Sequence, residues 1–270
     1  MVVNFKENSF MLLIRYVIRW IHIKILVIRE NFHTLLRKNG IGVKKFSKLK
    51  ILKNKFKGER CFIIATGPSL TNEDILKLRN EYTFSMNAMC LKYEELNWKP
   101  SFYGIQDKGV FEKLKENIIN SDVEYMFIDE RYRKVLPDKP NYYFFPRDAV
   151  YNAFDAYNKN IYKAKFSKDP TVVVYDGFTI TCSLLQIAIY LGFNKIYLLG
   201  CDCNYSKDGK KYFVDHGHLA MHLDTARERM IAGYKAVKEY AESNDISIFN
   251  ATRGGMLDVF ERVNLDDVII

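Results

Sequence analysis

The sequence predicts an α/β fold: a single doubly wound, mostly parallel sheet covered by helices on both faces, with a lid insertion and an N-terminal amphipathic helix. Three observations carry that expectation. Short runs rich in β-branched and aromatic residues recur after Gly58, they are near-continuously apolar rather than alternating, and longer helical patterns separate them. A strand that is apolar on both sides is buried on both sides, as a parallel strand is between two helical layers. A chain of 270 residues suits one such domain and is short for three.

In chain order, strands are expected at 61–65 (CFIIA), 83–86 (TFSM), 102–105 (FYGI), 124–128 (EYMFI), 142–145 (YYFF), 195–200 (KIYLLG) and 246–251 (ISIFNA). Helical patterns lie at about 71–80, 109–119, 179–191 and 219–243, and Gly192 closes one of them just before KIYLLG. No internal repeat is visible. Two stretches, about 146–176 and 204–218, break the alternation with polar, aromatic, helix-poor sequence. Connections of that length in a compact domain serve as functional lids or insertions, and both begin or end near strand carboxyl ends, where open α/β sheets bind ligands. The expected core is therefore Rossmann-like, residues 58–270 forming a nucleotide-binding catalytic domain behind a basic segment, 1–57.

Composition narrows the class further. Hydrophobic residues make up 48% and charged residues 27%, with only 14 Gly and 6 Pro, which excludes a disordered or collagenous polymer. The net charge of +9 is unevenly placed: residues 1–60 carry 15 Lys/Arg against three Asp/Glu, and the remainder is slightly acidic. An acidic body repels phosphates where a nucleic-acid groove would have to continue, so no nucleic-acid partner is expected. Five cysteines without a C-x-x-C spacing, mostly inside apolar runs, fit a reduced cytoplasm, and the N-terminus lacks the pattern of a secretory signal.

From Phe10 to Lys38 an apolar, aromatic stretch is interrupted by Arg15, Arg19, Lys24 and Arg29, so no run reaches the roughly 20 uncharged residues of a membrane span. A helix of this kind lies in the headgroup plane with its basic stems reaching outward. Seven lysines follow between Gly42 and Lys57. The expected partner of 1–57 is an anionic membrane surface, at the inner face of the cytoplasmic membrane; packing on the core or a homo-oligomer is the competing reading.

Chemistry-bearing residues gather at strand ends. After the first strand, Thr66-Gly67-Pro68-Ser69 makes a tight turn into a helix whose Thr71 and Asp74 stand at capping-box spacing. Gly67 permits close backbone approach, and N–H groups at a helix start suit a phosphate or a sugar hydroxyl. The turn lacks the G-K-[ST] of a Walker loop and the G-x-G-x-x-G of dinucleotide folds. Asn87 ends the second strand and Gln106-Asp107 the third; amides there read a base or ribose, although Asn87 equally suits a helix cap. Thr179 and Thr181 head an apolar helix, and Asp202 leaves KIYLLG at its carboxyl end, placed for a base, a ribose or a magnesium ion. His216, His218 and His222 lie close together; an imidazole titrating near neutrality is a natural general base, and no third ligand at metal spacing accompanies them, so no metal site is expected.

The order strand–ATGPSL, then Asn after the second strand, then a Thr/Ser-headed helix running into LGFNKIYLLGCD, resembles two related groups. One is the bacterial CMP-sialic-acid sialyltransferases; the other is the MptE-like 6-hydroxymethylpterin diphosphokinase domain found with surface-glycan proteins. The resemblance spans roughly 58–263, and NATRGGMLDVFERV is especially similar to the MptE-like group. The sialyltransferase likeness implies a cytidine nucleotide held by Thr66, Gly67, Asn87 and Gln106. It matches Thr179 and Thr181 to hydroxyls near the donor phosphate, and Tyr205 and Tyr212 to tyrosines that stabilise the leaving phosphate. A lid histidine then deprotonates the acceptor, with no cofactor beyond the CMP-sugar donor. This chain departs from that pattern in having Ala65-Thr66-Gly67 at a G-N-G turn and Gly177 at an arginine position. The MptE-like likeness implies instead ATP with magnesium on Asp107 or Asp202 and pyrophosphate transfer to a pterin alcohol. A basic, aromatic surface helix favours the first: an inverting glycosyltransferase acting on a glycan or lipid-linked glycan acceptor. A non-catalytic anchoring module is a third reading, which an absence of nucleotide binding would favour.

Overall fold

The computed structural model describes residues 9–204, 212–214 and 223–269. Among them, eight strands form one sheet in the order β10-β9-β8-β1-β2-β3-β4-β5, and every neighbouring pair is parallel. The strands are β1 (Arg60–Ile64), β2 (Tyr82–Met86), β3 (Phe102–Ile105), β4 (Tyr125–Asp129), β5 (Tyr142–Phe145), β8 (Lys195–Leu199), β9 (Ser247–Asn250) and β10 (Glu261–Arg262). The remaining two, β6 (Arg147–Asp148) and β7 (Val174–Tyr175), pair separately. The α/β expectation holds, and the sheet is wholly parallel.

Successive side chains of a strand point to opposite faces, and both faces here are covered. Cys61 and Ile63 of β1 join one core with Phe84, Phe102, Phe127 and Leu198, whereas Phe62 and Ile64 join the other with Tyr103, Met126 and Tyr197. The first core is closed by α6 (Ile180–Leu191), where eleven of twelve residues are buried, and by α7 (Leu223–Glu242). A helix apolar all round belongs in an interior, and α6 sits in one. The second core is closed by α3 (Asn72–Leu76), α4 (Lys108–Asn120) and the 3₁₀ turns Asn87–Lys92 and Glu130–Val135.

Two stretches differ from expectation. The helix expected over 71–80 ends at Leu76, because the N–H of Leu78 reaches back only to Ile75 and the chain tightens toward β2. The stretch 146–176, read as helix-poor, holds β6, β7 and α5 (Ala153–Lys159). Buried Gln186 of α6 fastens it: its Oε1 accepts from the N–H groups of Ser167 and Tyr175, and its Nε2 donates to the Tyr175 carbonyl.

Helix α1 (Ser9–Lys38) leads, through a 3₁₀ turn at Val43–Phe46 and α2 (Ser47–Ile51), into β1. Phe46, Leu49, Leu52 and Phe56 are all buried in the two cores, so much of 43–57 packs as part of the body. Helix α1 touches the body along one stripe from Trp20 onward: Ile23, Thr34 and Arg37 are buried, the Arg37 Nε donates to the Val172 carbonyl at 2.5 Å, and the Lys24 ammonium sits 4.1 Å over the Phe154 ring of α5. The opposite stripe, Ile18, Ile21, Ile25, Ile28, Phe32 and Leu35, is exposed. Among the described residues no helix is long and apolar enough to cross a membrane.

Candidate functional site

With all strands parallel, their carboxyl ends share one edge of the sheet, and strand order reverses between β1 and β8. Chains leaving those two strands diverge, and the gap between them is where open α/β sheets bind ligands. A cavity of about 420 Å³ opens there, within the range of small-molecule sites.

The turn after β1 is clipped to the end of β8. The Gly67 N–H donates to the Gly200 carbonyl at 2.9 Å, and the Ser69 Oγ donates to Asp202 Oδ2 at 2.9 Å. A Cβ on Gly67 would lie 1.9 Å from that carboxylate and 2.3 Å from the Gly200 oxygen, so only glycine fits. The Thr71–Asp74 capping box forms as the spacing predicts. One consequence departs from the phosphate-cradle expectation: the N–H groups of Gly67, Leu70, Thr71 and Asp74 all have partners within the turn or on β8. Thr66, Gly67 and Pro68 line the cavity as a wall, while Ser69 stands behind it and holds Asp202. Burial raises the Asp202 carboxyl pKa above the usual range, opposed by the Ser69 hydrogen bonds.

At the next two strand ends, side-chain amides face the cavity. Asn87 has a left-handed backbone (φ 51°), its carbonyl accepts from the Tyr103 hydroxyl at 2.7 Å, and its Oδ1 is buried without a hydrogen-bond partner. It begins a 3₁₀ turn and does not cap it. Gln106 is buried, its backbone carbonyl accepts from Tyr132, and its Oε1 is likewise unpartnered. Two buried, unpartnered amide oxygens beside a cavity are acceptors that water or a ligand donor would satisfy. Asp107 also lines the cavity, but its Oδ1 accepts from the Val110 N–H at 2.9 Å and so caps α4.

The N-terminus of α6 closes another side. Thr179 caps it by accepting from the Thr181 N–H at 3.3 Å, and both threonines line the cavity. A helix N-terminus carries partial positive charge and favours an anion. Phe178 just before it also has a left-handed backbone (φ 64°), as does Cys203 (φ 51°) after β8. Such conformations cost about 1–3 kcal/mol each and concentrate at functional sites; Asn87, Phe178 and Cys203 all line this cavity.

Several lining residues were not singled out from sequence. Arg147 of β6 pairs with Asp129 at the end of β4 (Nε to Oδ2, 2.7 Å) and with Asp176 after β7 (Nη1 to Oδ2, 2.8 Å). Burial pushes the Asp176 carboxyl up to about 6, against the N–H of Phe178, and also raises that of Asp129. From α7, the Arg229 guanidinium lies 5.1 Å over the Phe178 ring, with its Nε buried and unpartnered. Asp129 carried the same strand-end signal as Asp202. Arg147 and Arg229 had no local signal, because their partners are remote in sequence.

Tyr212 lines the cavity, and the neighbouring Phe213 N–H donates to the Thr66 carbonyl at 2.8 Å, drawing that segment across the β1 turn. Tyr205, His216, His218 and His222 lie outside the described residues. Among the described residues no group of three His, Cys, Asp or Glu could hold a metal ion. Asp107, Asp176 and Asp202 line the cavity and each accepts a hydrogen bond: Asp107 from the Val110 N–H, Asp176 from Arg147 and the Phe178 N–H, Asp202 from Ser69. The five cysteines are buried and unpaired.

The cavity thus joins a helix end that favours an anion, the Arg229 guanidinium and two amides with unpartnered oxygens, beside the carboxylates of Asp107, Asp176 and Asp202, a set suited to the phosphate and hydroxyls of a nucleotide or another phosphate ester. A search of curated proteins gives no match to the chain. The family model described as 6-hydroxymethylpterin diphosphokinase MptE-like matches residues 36–208, beginning before the stretch expected from sequence and stopping short of NATRGG, and over more than half its length the chain therefore belongs to that family of transferase-type enzymes.

Proposed function

We propose that the protein is a glycosyltransferase that takes a sugar from a nucleotide sugar, a CMP-sugar above all, and joins it to a glycan hydroxyl at a membrane surface. The observation that carries this reading is the cavity at the carboxyl edge of the sheet, which the unpartnered Asn87 Oδ1 and Gln106 Oε1 line together with Thr179 and Thr181 of the α6 N-terminus. The amides would read the base or ribose, while Thr179, Thr181 and Arg229 would stabilise the leaving phosphate. The acceptor oxygen forms its bond to the anomeric carbon as the bond from that carbon to the phosphate oxygen breaks. The hydroxyl proton passes to a base, for which His216, His218 and His222 are the candidates, and CMP leaves with the bonding pair. Direct attack gives inversion.

The surface of α1 supports the membrane part of this reading. Its exposed stripe recurs at alternating spacings of three and four from Ile18 to Leu35, flanked by Arg15, His22, Lys24 and Arg29. Contiguous exposed apolar surface marks an interaction site. A second copy would set like charges of the two flanks against each other, whereas anionic lipid would neutralise them. Flotation with phosphatidylserine vesicles should carry the full chain upward and phosphatidylcholine vesicles should not; a stable dimer that ignores vesicles would overturn this.

The family match favours a second reading, transfer of pyrophosphate from ATP to a pterin alcohol. Thermal shift of the full chain with CMP, CDP, UDP, GDP, ADP and ATP, each with and without magnesium, separates the two. A ligand that binds only the folded state raises the melting temperature. Stabilisation by CMP independent of magnesium is the expected result; magnesium-dependent stabilisation by ATP alone would replace the first reading with the second.

A further inference from the structure

A second cavity, of about 330 Å³, adjoins the first and shares three residues with it: Asp176, Phe178 and Arg229. Its remaining walls differ in chemistry from the crevice. Tyr151 and Tyr162 supply ring surface, Asn152 and Asn160 supply amides, and Ala153 and Ala156 of α5 leave the space open. Aromatic faces and amides together suit a neutral ring compound bearing hydroxyls, since the rings cover its apolar face while the amides pair with its edge. The shared wall is polar and half-organised. Asp176 accepts from Arg147 and from the Phe178 N–H, while the buried Arg229 Nε has no partner. A group standing in the second cavity would therefore present its edge across that wall to whatever occupies the first.

We propose that this second cavity is the acceptor subsite and takes a neutral, hydroxyl-bearing ring. The proposal rests on the transferase reading above and adds the place and chemical class of the second substrate. Helix α5 links the cavity to α1. Ala153 and Ala156 line the cavity, and Phe154 of the same helix packs against Trp20 of α1 with ring centroids 5.9 Å apart. The cavity thus lies behind the helix on which α1 rests.

The test is calorimetric titration of the full chain, saturated with CMP, with lactose and with 6-hydroxymethylpterin. One probe should bind the wild-type protein. Ala156→Trp and, separately, Thr225→Trp, both at half-buried positions lining the second cavity alone, should weaken it at least tenfold while CMP affinity stays within twofold. Loss of lactose binding supports the subsite and the glycosyl reading together. Loss of pterin binding supports the subsite and moves the reaction to the diphosphokinase reading. If the wild-type protein ignores CMP yet binds a ring that both variants reject, the subsite stands and the nucleotide-sugar reading fails. Ring binding unchanged in both variants, or no ring binding to a protein that does take CMP, overturns the proposal.

Discussion

The crevice and helix α1 break the ordinary partition of a folded protein in opposite senses. In the crevice, polar atoms that water normally serves are buried without partners, as at Asn87 Oδ1, Gln106 Oε1 and Arg229 Nε. On α1, side chains that normally pack inward face outward, from Ile18 to Leu35. A buried unsatisfied polar group costs about 1–3 kcal/mol, and an exposed apolar stripe forgoes about 25 cal/mol per Å² of burial. Under the proposed function, each is relieved by a molecule of the matching kind. The first calls for hydrogen-bond donors and an anion, the second for hydrocarbon beside negative charge. The body core, where Phe62, Phe84, Phe102 and Phe127 are fully buried, shows what the chain does where it needs no partner.

Substitutions that disturb one region and spare the other sharpen this contrast. The largest effect is expected for Arg147→Ala, which leaves Asp176 buried without its cation and Asp129 with Arg131 alone. A loss of about 3–5 kcal/mol of unfolding free energy should appear in denaturant titration, with vesicle binding of the remaining folded protein unchanged. Gly67→Ala comes next. Its Cβ would collide with Asp202 and the Gly200 carbonyl, costing about 1–3 kcal/mol by overpacking and separating the β1 turn from β8, so that stabilisation by CMP falls with it. On the other side of the comparison, Arg15→Gln with Arg19→Gln should weaken binding to anionic vesicles by about 2 kcal/mol, roughly 30-fold. The melting temperature and nucleotide response should not move. Smallest is Asn87→Ala, which removes an unpartnered oxygen; about 1 kcal/mol of CMP affinity should be lost, read as a fivefold change in dissociation constant. An unchanged affinity would show that the amide does not read the ligand.

Most of the fold was legible because its cause is local. Seven strand runs fall within a residue of their expected ends, since each is an uninterrupted apolar segment bounded by turn residues. The two-residue strands β6, β7 and β10 were not legible, having no room for any periodicity. The crevice was half legible. Thr66, Gly67, Asn87, Gln106, Asp107, Thr179, Thr181 and Asp202 announce themselves by standing where an apolar strand or helix begins or ends, and all line the cavity. What their side chains do was less accessible: Asp107 caps α4 and the Gly67 N–H binds Gly200, details set by backbone geometry. Arg147 escaped because its meaning comes from Asp129 and Asp176, which only the folded insertion brings to it. The assigned histidines fall outside the described residues, and their role stays with the proposal.

The strand order also dictates a timetable. Strand β1 pairs on one side with β2, which follows it closely, and on the other with β8, where Arg60 stands opposite Lys195. During synthesis β1 to β5 leave the ribosome as a half-sheet whose central strand is temporarily an edge, with its row of N–H and C=O groups open. Gly200 and Asp202, which anchor the β1 turn, arrive only with β8. The crevice therefore cannot take its shape before β8 is in place, and the pairing that closes it joins residues some 135 apart in sequence, a non-local contact of the kind that slows folding. Nascent chains stalled before residue 195 would carry every strand of the larger half-sheet and still lack the crevice, with the β1 edge left open to pairing.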